Sequence, residues 1–84
     1  SNGKMFSDPE FSVVYLKNSN SNIAKFTPKS AQLLKYIKQI ELQFPKNEST
    51  VSQVNMTEAS GDTTNIVFKN TKINAPIPAS EFSL

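Results

Sequence analysis

Three stretches of this chain alternate apolar and polar residues one position at a time. Ile40, Leu42 and Phe44 interleave with Gln39, Glu41 and Gln43; Val54 and Met56 with Gln53, Asn55 and Thr57; Ile66 and Phe68 with Asn65, Val67 and Lys69, where Val67 is the one apolar residue on the polar side. A period of two is that of a β-strand, whose successive side chains point to opposite faces, so each stretch reads as a strand with one buried and one wet side. The connections are short. Pro45-Lys46-Asn47-Glu48 has the composition of a four-residue turn, and Ala59-Ser60-Gly61-Asp62 is a tight connection in which Gly61 is free to take positive φ. The spacing therefore predicts an antiparallel meander of three strands over residues 37–69.

Upstream, residues 11–17 read Phe-Ser-Val-Val-Tyr-Leu-Lys, a β-branched and aromatic run that stops at the turn-forming Asn18-Ser19-Asn20-Ser21. Residues 23–27 can pair back on it until Pro28, which has no N–H to give to a ladder. Residues 28–43 carry two signals. Leu33, Ile37 and Ile40 have helical spacing, Thr27-Pro28 offers an N-cap followed by proline, and Lys29, Lys35 and Lys38 occupy polar positions. The strict alternation from Ile40 onward argues for a strand, so the segment divides into a short helical turn at residues 30–36 and a strand from residue 37. The tail Asn74-Ala75-Pro76-Ile77-Pro78 cannot sit in a central strand and is expected to run extended over a sheet edge or mouth.

The resulting expectation is a mostly β fold: an antiparallel sheet of about five strands with at most a short helix. Composition agrees. Ser, Thr and Asn number 26 and aromatics 8, residues that favour strands and turns over helices. At 84 residues the chain makes one thin-cored domain that buries only about 60 % of its unfolded surface. Residues 1–10, which open Ser1-Asn2-Gly3, are expected to be disordered or tag-derived, and residues 11–84 to form the domain.

The residue inventory excludes several kinds of chemistry. There is no His and no Cys, which removes the usual general base, the thiol nucleophile, thiolate metal sites and disulfides. Nothing points to a metal or a cofactor. The net charge of +2 arises from 9 lysines without a single arginine, so nucleic acid is not an expected partner. Asp8, Glu10, Glu41, Glu48, Glu58, Asp62 and Glu81 supply carboxylates, yet no spacing sets two of them across a cleft, and Glu58 and Asp62 flank a turn where acids are common. The chain reads as a binding module, not an enzyme. No run approaches the roughly 20 apolar residues of a membrane span, and no signal-peptide core is present.

The residues from Ile37 onward carry a family likeness. A strand ending in Met56-Thr57-Glu58, a Gly61-Asp62-Thr63-Thr64 hairpin, Ile66-Val67-Phe68-Lys69-Asn70 and then Asn74-Ala75-Pro76-Ile77-Pro78-Ala79-Ser80-Glu81-Phe82 resemble the C-terminal half of LolA-like outer-membrane lipoprotein carrier proteins, in versions from Bacteroides-type bacteria. Phe26-Thr27-Pro28-Lys29 is similar to the strand that precedes this meander there, which extends the resemblance over residues 11–84. The resemblance implies an open, curved antiparallel sheet, half of a barrel, whose concave side holds lipoprotein acyl chains. It also implies an exported, periplasmic protein whose signal peptide has been removed. The arginine linked with ligand release belongs to the family's N-terminal half, so no functional residue of the family is carried onto a position here.

On this reading Ile40, Leu42, Val54, Met56, Ile66 and Phe68 are the candidate ligand-binding residues, on the concave side, while Gln39, Glu41, Gln53, Asn55, Asn65 and Lys69 face water. Lipoprotein acyl chains or another lipid are the expected partners. The competing reading is a structural or protein-interaction module that packs the same face on another chain or on an N-terminal domain. Lys29, Lys35 and Lys38 with Leu33, Leu34 and Ile37 could form a basic amphipathic contact to a membrane, but about seven residues are too few for a stable isolated helix, and a solvated connection is the expectation. An unpaired strand edge beside an apolar face makes self-association a further expectation.

Overall fold

The computed structural model describes residues 10–48 and 50–69 in full, and residues 73 and 74 by their backbone. Seven strands and one helical turn follow in the order β1 (Phe11–Lys17), β2 (Ser21–Pro28), α1 (Ala31–Leu34), β3 (Ile37–Pro45), β4 (Thr50–Val51), β5 (Gln53–Glu58), β6 (Thr63–Val67) and β7 (Ile73–Asn74). Five of them form an open antiparallel sheet in the order β1-β2-β3-β5-β6, and β4 pairs with β7 in a separate two-stranded ribbon. The expected five-stranded sheet is present, and the ribbon is an addition to it.

The turns follow from their residues. Asn18 accepts backbone N–H bonds from Asn20 at 2.8 Å and Ser21 at 2.7 Å through Oδ1, which closes the β1–β2 loop as an Asx turn. Asn47 has φ 67° at the third position of a turn closed by Glu48 N–H donating to the Pro45 carbonyl, a place where Asn is among the few residues tolerated. Gly61 has φ 97°. Its N–H donates to the Glu58 carbonyl, and Glu58 N–H donates to the Asp62 carbonyl, so β5 and β6 are joined by a three-residue loop with a glycine bulge.

One boundary departs from expectation. The helical turn falls within the expected residues 30–36 and not at the Thr27-Pro28 cap signal: Ser30 is the N-cap, its Oγ accepting Leu33 N–H at 3.1 Å. Pro28 is the last residue of β2, paired with Phe11, and Lys29 N–H donates to the Glu10 carbonyl at 2.7 Å, so cross-strand pairing holds residues 27–29 extended. At the other end, β6 stops at Val67, one residue before Phe68, whose N–H continues the ladder by donating to the Ser52 carbonyl. Residues 1–9 and 75–84, and with them the expectations for the N-terminus and for the Ala75-Pro76-Ile77-Pro78 tail, lie outside the described residues; Asn74 itself pairs with Thr50.

The register sorts side chains onto two faces. On one, Ala24, Leu42, Val54 and Ile66 make one row across β2, β3, β5 and β6, and Phe26, Ile40, Met56 and Thr64 make the next. On the other, Lys25, Glu41, Asn55 and Asn65 stand side by side. The buried core is small and belongs to the first face: Ala24, Phe26, Leu42, Phe44 and Val51. Val51, from the ribbon strand β4, closes over it.

Candidate ligand-binding face

Apolar side chains cover one side of the sheet from β1 to β6, and their burial is greatest at β2 and β3 and falls toward β6. Ala24 and Phe44 have no exposed surface, and Phe26 and Leu42 are buried beside them at the middle of the sheet. Phe11, Val13, Tyr15, Ile40, Val54 and Phe68 pack around this cluster partly buried. Phe11 meets Phe26 edge to face, with ring centroids 6.3 Å apart at 87°, the arrangement that sets a positive ring edge against a negative face. At the β6 edge Ile66 is 46 % exposed. The apolar face is thus packed at β2 and β3 and open toward β5 and β6.

The six candidate residues fall on this face but not in equal positions. Leu42 lies within the buried cluster. Ile40, Val54 and Met56 are half-buried beside it, Met56 directly across from Ile40 and Val54 directly across from Leu42. Ile66 follows Val54 into β6, and Phe68, just past the strand end, packs back against the core. Phe11, Val13, Tyr15, Phe26 and Val51 also belong to the face and were not among the candidates. Phe11, Val13 and Tyr15 alternate, but Val14 and Leu16 between them are apolar too and hide the period; they are 52 % and 43 % exposed on the opposite side.

The opposite face carries Val14 and Leu16 on β1, Ile23 on β2 and Val67 on β6, but over β3 and β5 it is polar and its side chains bond to one another. Asn55 Nδ2 donates to Glu41 Oε1 at 3.2 Å, Gln53 Nε2 donates to Asn55 Oδ1 at 3.2 Å, and Asn65 Nδ2 donates to the same Asn55 oxygen. Lys25 stands directly opposite Glu41, a cross-strand pairing of opposite charges. A side chain in such a ladder resists burial under an apolar partner, because desolvation would cost more than the hydrogen bonds return.

Nothing else among the described residues gathers reactive groups. Among the described residues no cluster of three His, Cys, Asp or Glu is placed to hold a metal ion. Glu48 Oε1 accepts from Thr50 Oγ1 at 3.0 Å, and Ser60 Oγ donates to Asp62 Oδ2 at 3.1 Å, both within turns. Lys29, Lys35 and Lys38 are exposed at or next to the β2–β3 connection, where Leu34 at the helix end is 42 % exposed, Tyr36 beyond it is 69 % exposed, and the helix itself has four residues. That is too short to form an amphipathic surface helix.

Comparison with known proteins gives one match. The model of the family described as outer membrane lipoprotein carrier protein LolA matches residues 3–84. No curated protein and no solved structure matches.

Proposed function

The chain belongs to the LolA family of outer membrane lipoprotein carriers, proteins that carry and do not catalyse, and we propose that it holds acyl chains against the apolar face of its sheet. The observation that carries this reading is the exposure gradient on the continuous apolar face: buried over β2 and β3, half-buried at Val54 and Met56 and exposed at Ile66. Hydrocarbon laid on that open half would remove apolar surface from water, worth about 25 cal/mol per Å². Met56 suits such a ligand because an unbranched thioether follows a flexible chain, and Ile40, Val54, Ile66 and Phe68 add area without a polar group that must be satisfied. Leu42 serves as the floor on which these residues stand. Carriage between two membranes places the protein in the periplasm.

The second reading, in which the same half-covered face packs on another protein chain or domain, is favoured by the same exposed Ile66 and separates cleanly in one experiment. The purified protein is titrated with a fluorescent fatty acid, and its organic extract is examined by mass spectrometry. Saturable binding and co-purified acyl species are the expected result. A folded protein that binds no probe saturably overturns the carrier reading and leaves the interaction module.

A further inference from the structure

We propose that this chain forms a two-fold dimer through the edge strand β6, each copy adding its β6 antiparallel to that of the other. The proposal stands on the edge itself and does not need the acyl-chain reading.

The backbone phase is fixed by the loop and strand-end bonds. Glu58 N–H donates to the Asp62 carbonyl at 2.8 Å and Phe68 N–H to the Ser52 carbonyl at 2.9 Å. Both belong to the register that pairs Met56 with Thr64 and Val54 with Ile66. Hydrogen-bonded positions recur every second residue in an antiparallel pair, so Thr64 and Ile66 turn their N–H and C=O toward β5. Thr63, Asn65 and Val67 then turn theirs outward, where β6 ends the sheet and no strand among the described residues pairs with it. All five residues of β6 are exposed.

Edges of this kind are ordinarily guarded by a charge, a proline or a bulge within the strand. Thr63–Val67 contains none of these along its length. It is also complementary to itself. A two-fold axis at Asn65, normal to the sheet, sets Asn65 against Asn65 of the second copy and Thr63 against Val67 of the second copy as hydrogen-bonded pairs, using the groups that point outward. Thr64 then lies across from Ile66 of the second copy. The half-exposed Ile66 and Val67 both gain cover, and the amide row of Asn55 and Asn65 continues across the junction. At each end Asp62 comes within one residue of Lys69 of the second copy, opposite charges in place of like ones.

The topology makes the arrangement coherent. Five strands of alternating direction leave β1 and β6 running the same way, so an antiparallel continuation with both apolar faces on one side requires β6 to meet its own copy. The product is a ten-stranded antiparallel sheet with one continuous apolar face. Five residues per copy make a small interface, so the dimer should dissociate on dilution.

The test uses the absence of cysteine from the chain. Asn65→Cys sits on the axis, where a hydrogen-bonded antiparallel pair has Cα atoms about 5.5 Å apart, within disulfide reach. Mild oxidation should convert it to a covalent dimer, while Val14→Cys on β1, which reports pairing through the other edge, stays largely monomeric. Analytical ultracentrifugation of the unmodified protein should show a concentration-dependent dimer. Asn65→Pro removes an outward N–H, at a place where edge strands accept proline, together with the exposed side-chain bond to Asn55, and should weaken association at least tenfold with an unchanged circular dichroism spectrum. If Asn65→Pro fails to fold, Asn65→Lys, which sets two like charges face to face on the axis, replaces it. A monomer at every concentration overturns the proposal, as does a dimer that cross-links through Val14→Cys or survives the Asn65 substitutions.

Discussion

Ile66 and Val67 are adjacent on β6, are 46 % and 51 % exposed, and point to opposite faces of the sheet. Changing each to Asp therefore asks which face binds ligand, with the cost to folding held nearly equal. Full burial of an aliphatic side chain contributes about 1.5–3 kcal/mol, so removing a half-buried one should destabilise the monomer by about 1 kcal/mol in either variant. The effect on binding should differ. Under an acyl chain, Ile66→Asp loses roughly another 1 kcal/mol of apolar cover and must desolvate a carboxylate, which costs at least about 2 kcal/mol. A total near 3 kcal/mol corresponds to about a hundredfold weaker binding. Val67→Asp, on the wet face, should change affinity less than about threefold by the same scale. Titration with a fluorescent fatty acid, with thermal melts of both variants alongside, reads the difference. Any effect through the edge or through β6 stability is shared by the two substitutions, so equal losses would refute the assignment of the ligand to the apolar face.

Phe44→Ala, at a fully buried site, should cost about 3–5 kcal/mol by urea denaturation, which would leave so small a domain barely folded. Gly61→Val should cost on the order of 1 kcal/mol or more. The cause is backbone strain at φ 97° and not a clash, since a Cβ there would meet nothing within 4 Å; an unchanged melting midpoint would contradict the turn geometry. Asn18→Ala removes the acceptor for two loop N–H groups and should cost about 1 kcal/mol, measured as faster amide exchange at Asn20 and Ser21. Met56→Ala should weaken probe binding about five- to tenfold while leaving the circular dichroism spectrum unchanged, because a half-buried Met loses roughly 1 kcal/mol of apolar contact.

Local periodicity carried β3 and β5, because each has polar residues on its wet side and the alternation is clean; in β6 it is blurred by Val67 on the wet side and Thr64 on the apolar one. Gly61 was legible for a similar reason: only one residue in that connection accepts positive φ without strain. Where long-range pairing decides, the local signal misleads. Thr27-Pro28 has the form of a helix start, but Pro28 pairs with Phe11 and Lys29 bonds to Glu10, partners 17 and 19 positions away, and the cap passes to Ser30. Val51 is buried although it stands in a two-residue strand with no periodicity to reveal it. For the site, alternation identified a shared face. It did not order Leu42 and Ile66 by exposure, because that depends on how far each strand lies from the sheet centre, and strand order is a long-range property.

Under the proposed acyl-chain reading, that strand order also separates stability from binding on a single surface. A sheet with one side polar and hydrogen-bonded over β3 and β5 has only its other side for both a core and a hydrophobic ligand, so the two uses compete for the same residues. Here they are divided laterally. Ala24, Phe26, Leu42 and Phe44 on β2 and β3, with Val51 laid over them, supply the packing that a thin domain needs, while Val54, Met56 and Ile66 on β5 and β6 keep area in reserve. Substitutions in the first group must lose fold and binding together, since the floor of the site is the core. Substitutions at Ile66, on the last strand and already half in water, can remove binding alone.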